Sequence, residues 1–163
     1  MNTQTLLSIV ADQREELLAN DYSELCPRPE ESQLDLKSNR AQVVIGVRRC
    51  GKSTLCEMFL KQKGIDFAYV NFDDDRMEDM EASDLDHLLE ALYMTYGEFK
   101  YLFLDEIQNI ESWPLFVNRL LRQKMHLFIT GSNSKLLSKE LSTHLTGRNN
   151  KVELYPFSYS EYC

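Results

Sequence analysis

Short apolar runs alternate with amphipathic stretches along most of this 163-residue chain. Ala41-Gln42-Val43-Val44-Ile45, Asp66 to Phe72, Tyr101-Leu102-Phe103-Leu104 and His126-Leu127-Phe128-Ile129-Thr130 have the length and the β-branched or aromatic content of buried strands. Lys151-Val152-Glu153-Leu154 predicts a fifth. Between the strands, apolar residues return at helical spacing. Leu55 and Phe59, with Gln62, mark a helix over 53–63 that stops at Gly64. Leu85, Leu88, Leu89, Leu92 and Tyr96 mark another, with Ser83 as its cap. Trp113, Phe116, Val117, Leu120 and Leu121 mark a third behind Ser112. Pro114 falls in its first turn, where a missing N–H is tolerated. A Ser/Leu-rich stretch over 134–144 predicts one more helix. At the N-terminus, Leu6, Ile9, Val10, Leu17 and Leu18 predict a helix over 1–20, followed by a proline-marked linker, Cys26-Pro27-Arg28-Pro29-Glu30-Glu31. The expected organisation is therefore an N-terminal helix and linker over 1–36 and a compact unit over 37–163. Continuous apolar strands alternating with amphipathic helices imply an α/β fold, a parallel sheet covered on both faces. The Leu, Phe and Tyr side chains of these stripes read as core.

The first strand runs into Gly46-Val47-Arg48-Arg49-Cys50-Gly51-Lys52-Ser53, which fits the phosphate-cradling P-loop pattern G-x-x-x-x-G-K-[ST]. Strand, glycine-rich loop and helix start are what the chemistry needs. Successive backbone N–H groups make a concave anion site, and the helix dipole adds partial positive charge. Gly46 and Gly51 permit a turn and a close approach that a Cβ would block. The Lys52 ammonium can reach the β- and γ-phosphates, and the Ser53 hydroxyl can ligate Mg²⁺. Gly46 to Thr54 are the candidate nucleotide-binding residues. Arg48 and Arg49 could contact phosphate or pair with acids such as Asp74.

The third strand ends in Asp105-Glu106. In a parallel α/β sheet ligands sit beyond the carboxyl ends of the strands, where these acids emerge beside the P-loop. An aspartate there can hold the Mg²⁺ that bridges β- and γ-phosphates. A neighbouring glutamate can polarise a water for attack on the γ-phosphorus. Thr130 and Ser132, at the end of the fourth strand, could touch the γ-phosphate or the water; Ser132 or Ser134 could equally cap the next helix. Asn71 could hydrogen-bond Glu106 and hold it away from the water, or simply satisfy a turn. Arg148 could stabilise transition-state charge, in cis or in trans, or be a surface arginine.

Composition narrows the setting. Hydrophobic residues make up 43% and charged residues 27%, as in soluble globular proteins. No apolar run approaches the roughly 20 residues of a membrane span. The N-terminal sequence lacks the basic start of a signal peptide, so the expected compartment is the cytoplasm. The four cysteines form no C-x-x-C pair and no zinc spacing. Cys50, beside Arg49 and Lys52, could carry a stabilised thiolate or be a passive loop residue. A net charge of −8 argues against a broad nucleic-acid surface.

Ile45 to Leu55, Leu102 to Gln108, Ile129 to Ser134, Leu145-Thr146-Gly147-Arg148 and Tyr155-Pro156-Phe157-Ser158 together resemble the AAA+ superfamily of P-loop ATPases, nearest to the prokaryotic AAA-like group with a C-terminal domain of unknown function. The resemblance covers roughly 41–162. It implies a P-loop three-layer sandwich whose five-stranded parallel sheet has the order 5-1-4-3-2. It also implies Lys52 on phosphates, Ser53 and Asp105 on Mg²⁺, and Glu106 as catalytic base. Thr130 or Ser132 would be the first sensor and Arg148 the arginine finger. Such proteins continue into a helical lid and a further domain, so an end at Cys163 reads as a truncation after the ATPase core. The leading expectation is an ATPase that couples ATP and Mg²⁺ to conformational change, acting with a partner protein or as a homo-oligomer. The alternatives are a non-catalytic nucleotide-gated interaction module, a P-loop small-molecule kinase, and a regulator that recruits nucleic acid through a further domain.

Overall fold

The computed structural model describes residues 3–19, 40–46, 52–78, 80–110, 113–132, 139 and 149–153. The elements are α1 (Thr3–Ala19), β1 (Ala41–Ile45), α2 (Lys52–Gln62), β2 (Ala68–Asn71), α3 (Leu85–Tyr96), β3 (Tyr101–Asp105), α4 (Trp113–Arg122), β4 (His126–Gly131) and β5 (Asn149–Glu153). The strands pair in parallel in the order β2-β3-β4-β1-β5.

Strand side chains alternate between the two faces, and each face meets different helices. Val43, Ile45, Val70, Leu102, Leu104, Leu127 and Ile129 pack with residues of α1, α3 and α4. Val44, Tyr69, Phe103 and Phe128 pack with Leu55, Cys56, Phe59 and Leu60 of α2. The handedness of parallel crossovers accounts for this division. The β2–α3–β3 and β3–α4–β4 units both advance across the sheet toward β1. The β1–α2–β2 unit runs the other way, so a right-handed crossover places α2 on the opposite face. Phe103 and Phe128 anchor the α2 side, with the Phe103 ring 5.0 Å from that of Tyr69 and the Phe128 ring 5.9 Å from that of Phe59. Each such fully buried aromatic contributes on the order of 3 kcal/mol.

Several expected boundaries move for identifiable reasons. β2 starts at Ala68 rather than Asp66, because pairing with β3 begins at Ala68 opposite Leu102. Phe67 contributes its ring to Phe103, at 6.3 Å, from outside the strand. Ser83 does not cap α3. It lies in a 3-10 turn over Ala82–Asp84, and Asp84 takes the cap position while its carboxylate accepts the Glu81 N–H at 2.9 Å. β5 spans Asn149–Glu153 rather than 151–154. The expected helix over 134–144, the Ser112 cap and the proline-marked linker lie outside the described residues, apart from Lys139.

The largest addition to the sequence picture is α1. Leu6, Ile9 and Val10 are buried in the same cluster as β1, β2, β3 and β4, so this helix is part of the core. Leu18, which the pattern assigns to the apolar stripe, is 69% exposed.

Candidate functional site at the carboxyl edge of the sheet

All five strands are parallel, so their carboxyl ends share one edge. β1 reaches that edge at Ile45, and the Gly46 N–H donates to the Gly131 carbonyl at the end of β4, at 3.1 Å. α2 begins at Lys52. Val47, Arg48, Arg49, Cys50 and Gly51 lie outside the described residues, as do the side chains of Lys52, Ser53 and Thr54. The expected arginine finger, Arg148, and Ser134 also lie outside them. The strand and the helix that bracket the P-loop sequence are therefore in place.

β3 delivers the acids. Asp105 is the last residue of the strand, 4% exposed, and Glu106 follows at 7%. A buried carboxylate is tolerated only when its oxygens are hydrogen-bonded. Both oxygens of Asp105 are: the Tyr69 hydroxyl donates to Oδ2 at 2.8 Å, and the Thr130 hydroxyl donates to Oδ1. Thr130, fully buried on β4, also accepts the Glu106 backbone N–H at 2.9 Å. One hydroxyl thus ties β4 to both acids.

Glu106 itself has φ 57° and ψ 50°, the left-handed region. A non-glycine residue there costs on the order of 1 kcal/mol. The cost is met by what the turn secures. The chain reverses into a 3-10 turn over Ile107–Asn109, which buries Ile107 and brings Gln108 back beneath Glu106. Gln108 Nε2 donates to Glu106 Oε2 at 2.7 Å and to Ser132 Oγ at 3.1 Å. Asn109 Nδ2 donates to the Phe72 carbonyl at 3.2 Å, and the Phe72 N–H donates to the Asp105 carbonyl at 2.9 Å, which locks the neighbouring strand end.

Sequence reasoning places Asp105, Glu106, Thr130 and Ser132 at this edge, and the structure brings them together. Asn71 lies at the same edge but does not hold Glu106. Its Oδ1 accepts the Asp73 N–H at 2.9 Å, the turn-satisfying arrangement. Its backbone is held by Gln13 of α1: the Asn71 N–H donates to Gln13 Oε1 at 2.9 Å, and Gln13 Nε2 donates back to the Asn71 carbonyl at 3.0 Å. β2 is a sheet edge, and this side-chain amide pairs its last residue as another strand would. Gln13 Nε2 also donates to Asp74 Oδ2 at 3.1 Å.

Asp74 accepts further bonds from Arg76, at 2.7 Å from Nη2 and 3.0 Å from Nε. The Arg76 guanidinium holds the Asp74 carboxyl well below its ordinary 3.8, outweighing desolvation, and Gln13 adds to the effect. Arg76 reaches Asp12 of α1 at 2.7 Å. Asp74 is thus partnered by Arg76 and Gln13, and the expected pairing with Arg48 or Arg49 involves residues outside those described.

Sequence reasoning missed Tyr69, Gln108 and Gln13. Tyr69 reads as core, and its ring is core; only the hydroxyl belongs to the site. Gln13 did carry a signal, since it interrupts the buried stripe midway between Ile9 and Leu17.

The donor chemistry at this edge is hard oxygen: the Asp105 and Glu106 carboxylates at the end of β3, with the Thr130 and Ser132 hydroxyls. Among the described residues no group of three or more His, Cys, Asp or Glu side chains gathers that could build a protein-only metal cage. One carboxylate suits Mg²⁺, which takes one or two from protein and completes its shell with phosphate oxygens and water. Among the described residues, no helix is long and apolar enough to cross a membrane.

Comparison with known proteins decides the class. A family model described as an AAA domain matches residues 38–163. The chain belongs to the AAA-domain family. That family is one of AAA-like P-loop ATPases, so this AAA domain is nucleotide-binding in kind. An uncharacterized protein of Methanocaldococcus jannaschii is 41% identical over 131 residues, 80% of this chain and 30% of the relative. An uncharacterized protein of Haemophilus influenzae is 37% identical over 129 residues, 74% of this chain and 32% of the relative. The AAA domain thus spans about a third of the length of these curated relatives.

Proposed function

We propose that this chain binds ATP with Mg²⁺ and hydrolyses it, using a P-loop three-layer sandwich of five parallel strands over 37–163 with α1 packed against it. One observation carries the reading: Asp105 and Glu106 leave β3 at the edge where β1 enters the P-loop sequence, and Thr130, on the strand between, is bonded to both. That edge is where open α/β sheets hold ligands.

In this reading the backbone N–H groups of Gly46 to Thr54 and the Lys52 ammonium receive the triphosphate tail. Ser53 and Asp105 hold Mg²⁺, which when bound neutralises charge on the β- and γ-phosphates. Tyr69 and Thr130 keep the Asp105 carboxylate aimed. Glu106 accepts the proton of the attacking water, and Ser132 senses the γ-phosphate, since the Thr130 hydroxyl is already spent on Asp105 and the Glu106 N–H. Arg148 contributes charge from this copy or a neighbouring one. Turnover changes the nucleotide state at a single sheet edge shared by the carboxyl ends of all five strands. That state is passed on to a partner protein or a second copy, in the cytoplasm.

Phosphate release from radiolabelled ATP tests this. Wild type should release phosphate, and Glu106→Gln should lower the rate about 10²–10⁴-fold while MgATP binding persists. Binding without release in the wild type would favour the nucleotide-gated interaction module instead. Transfer of label to an acceptor rather than water would favour the kinase.

A further inference from the structure

Gln108 is a polar side chain at this edge to which the reading above gives no part. It lies two residues beyond Glu106, on a 3-10 turn whose start requires Glu106 to adopt a left-handed conformation. Its amide nitrogen has two N–H groups, and both are used: one on the Glu106 carboxylate at 2.7 Å, one on the Ser132 hydroxyl oxygen at 3.1 Å. Its other end is unsatisfied, because Oε1 is buried with no hydrogen-bond partner. A buried acceptor left alone is destabilising, because it has given up water without a replacement. The opposite amide orientation would set Oε1 against the carboxylate, acceptor to acceptor, so the charge of Glu106 fixes which way the group points. A glutamine kept only to close the turn has no reason to accept this arrangement.

Resting on the hydrolytic reading above, we propose that Gln108 is a positioning residue that couples the γ-phosphate-facing Ser132 to the general base Glu106. The two bonds act in one direction. By donating to Ser132 Oγ, the amide occupies the hydroxyl's acceptor side, so the Ser132 O–H must point elsewhere, and it is strengthened as a donor. By donating to Glu106 Oε2, the same nitrogen fixes the orientation in which the carboxylate of the general base is held. When Ser132 donates to a phosphate oxygen, its own oxygen becomes a better acceptor, and the pull on the shared amide steadies Glu106 in the arrangement that attacks. Base and sensor are thereby set together. The Asn71 and Asn109 amides at this edge are spent elsewhere, on the Asp73 N–H and the Phe72 carbonyl.

The test uses the full chain, with turnover and MgATP affinity measured separately. Gln108→Ala should lower kcat about tenfold, the size expected for losing one charge-assisted hydrogen bond in the transition state. The dissociation constant for MgATP should move less than about threefold. Gln108→Glu keeps the shape but sets a carboxylate against Glu106, and should lose more than the alanine variant. Gln108→Asn, which keeps the donor on a shorter stem, should restore part of the rate. Ser132→Ala combined with Gln108→Ala should cost little more than either alone, because the two residues act as one unit. Thermal melts of each variant show that it is folded.

Wild-type turnover in Gln108→Ala, equal loss of binding and turnover, or additive losses in the double variant would each overturn the coupling while leaving hydrolysis intact. A wild-type chain that binds MgATP but releases no phosphate would instead overturn the hydrolytic reading, and the role of Gln108 with it.

Discussion

Two polar networks border the carboxyl edge of the sheet, and they are built differently. At the ends of β3 and β4, Tyr69, Asp105, Thr130, Glu106, Gln108 and Ser132 form a hydrogen-bonded series, joined at Thr130 through the Glu106 backbone N–H, in which both acids and Thr130 are buried. At the end of β2, Gln13, Asp74, Arg76 and Asp12 form a second series, and Arg76 and Asp12 are 41% and 55% exposed at the side chain. Burial separates the two. In the first, each lost partner leaves a charge or N–H out of reach of water, so the geometry is over-determined. In the second, Gln13 is buried, but the ion pairs of Arg76 lie at the surface, where solvent replaces most of what is lost, and the network fastens α1 to the sheet edge at small cost. The first has the construction of a site that must hold charges in fixed places. The second has that of a clamp.

The comparison breaks most sharply at Thr130. Thr130→Val keeps the shape but strips Asp105 of a donor and the Glu106 N–H of its acceptor. Denaturant unfolding should show a loss of about 2–4 kcal/mol, and phosphate release should fall with it. Tyr69→Phe removes a single donor and leaves the ring against Phe103. It should cost about 1–2 kcal/mol and shift turnover more than nucleotide affinity.

The clamp should behave otherwise. Gln13→Leu leaves the Asn71 N–H and carbonyl to partial solvent. It should cost about 1 kcal/mol in unfolding with turnover per folded molecule unchanged. Equal damage to turnover would erase the distinction between the two networks.

The smallest effect belongs to Asp74 and is read in acid. Its carboxyl is held below its ordinary 3.8 by Arg76, so over that range the unfolded chain binds more protons than the folded one. The stabilisation is complete above about pH 5 and drains as pH falls through 4 and below. Asp74→Asn should therefore flatten the acid limb of the stability curve and lie nearest to wild type at the lowest pH. A gap of constant size across that range would show that Asp74 does not titrate as a partner of Arg76.

What was legible in the sequence was whatever depends on near neighbours along the chain. Strand runs and helix stripes are local patterns, and so are the P-loop spacing and the acids that end an apolar strand. The boundaries of β2 and α3 were not, because a register with β3 and a turn at Glu81 settle them. Nor were the partners of the acids. Tyr69 is 36 positions from Asp105 and Gln13 is 58 from Asn71, and only the sheet order brings them together. Asn71 shows the reverse: its placement was legible, but its side chain took the bond nearest in sequence, to Asp73. Gln108 lay in plain view beside the acids, yet its role needs the left-handed turn at Glu106, which no residue type there announces.

The central claim is that the Asp105–Glu106 pair faces phosphates delivered by the β1–α2 connection. A crystal structure of Glu106→Gln with MgATP tests it most directly. The triphosphate should lie along the start of α2 near Lys52, with Mg²⁺ beside Asp105 and the γ-phosphate facing residue 106. A nucleotide bound away from this edge, or a metal that does not approach Asp105, would contradict the account.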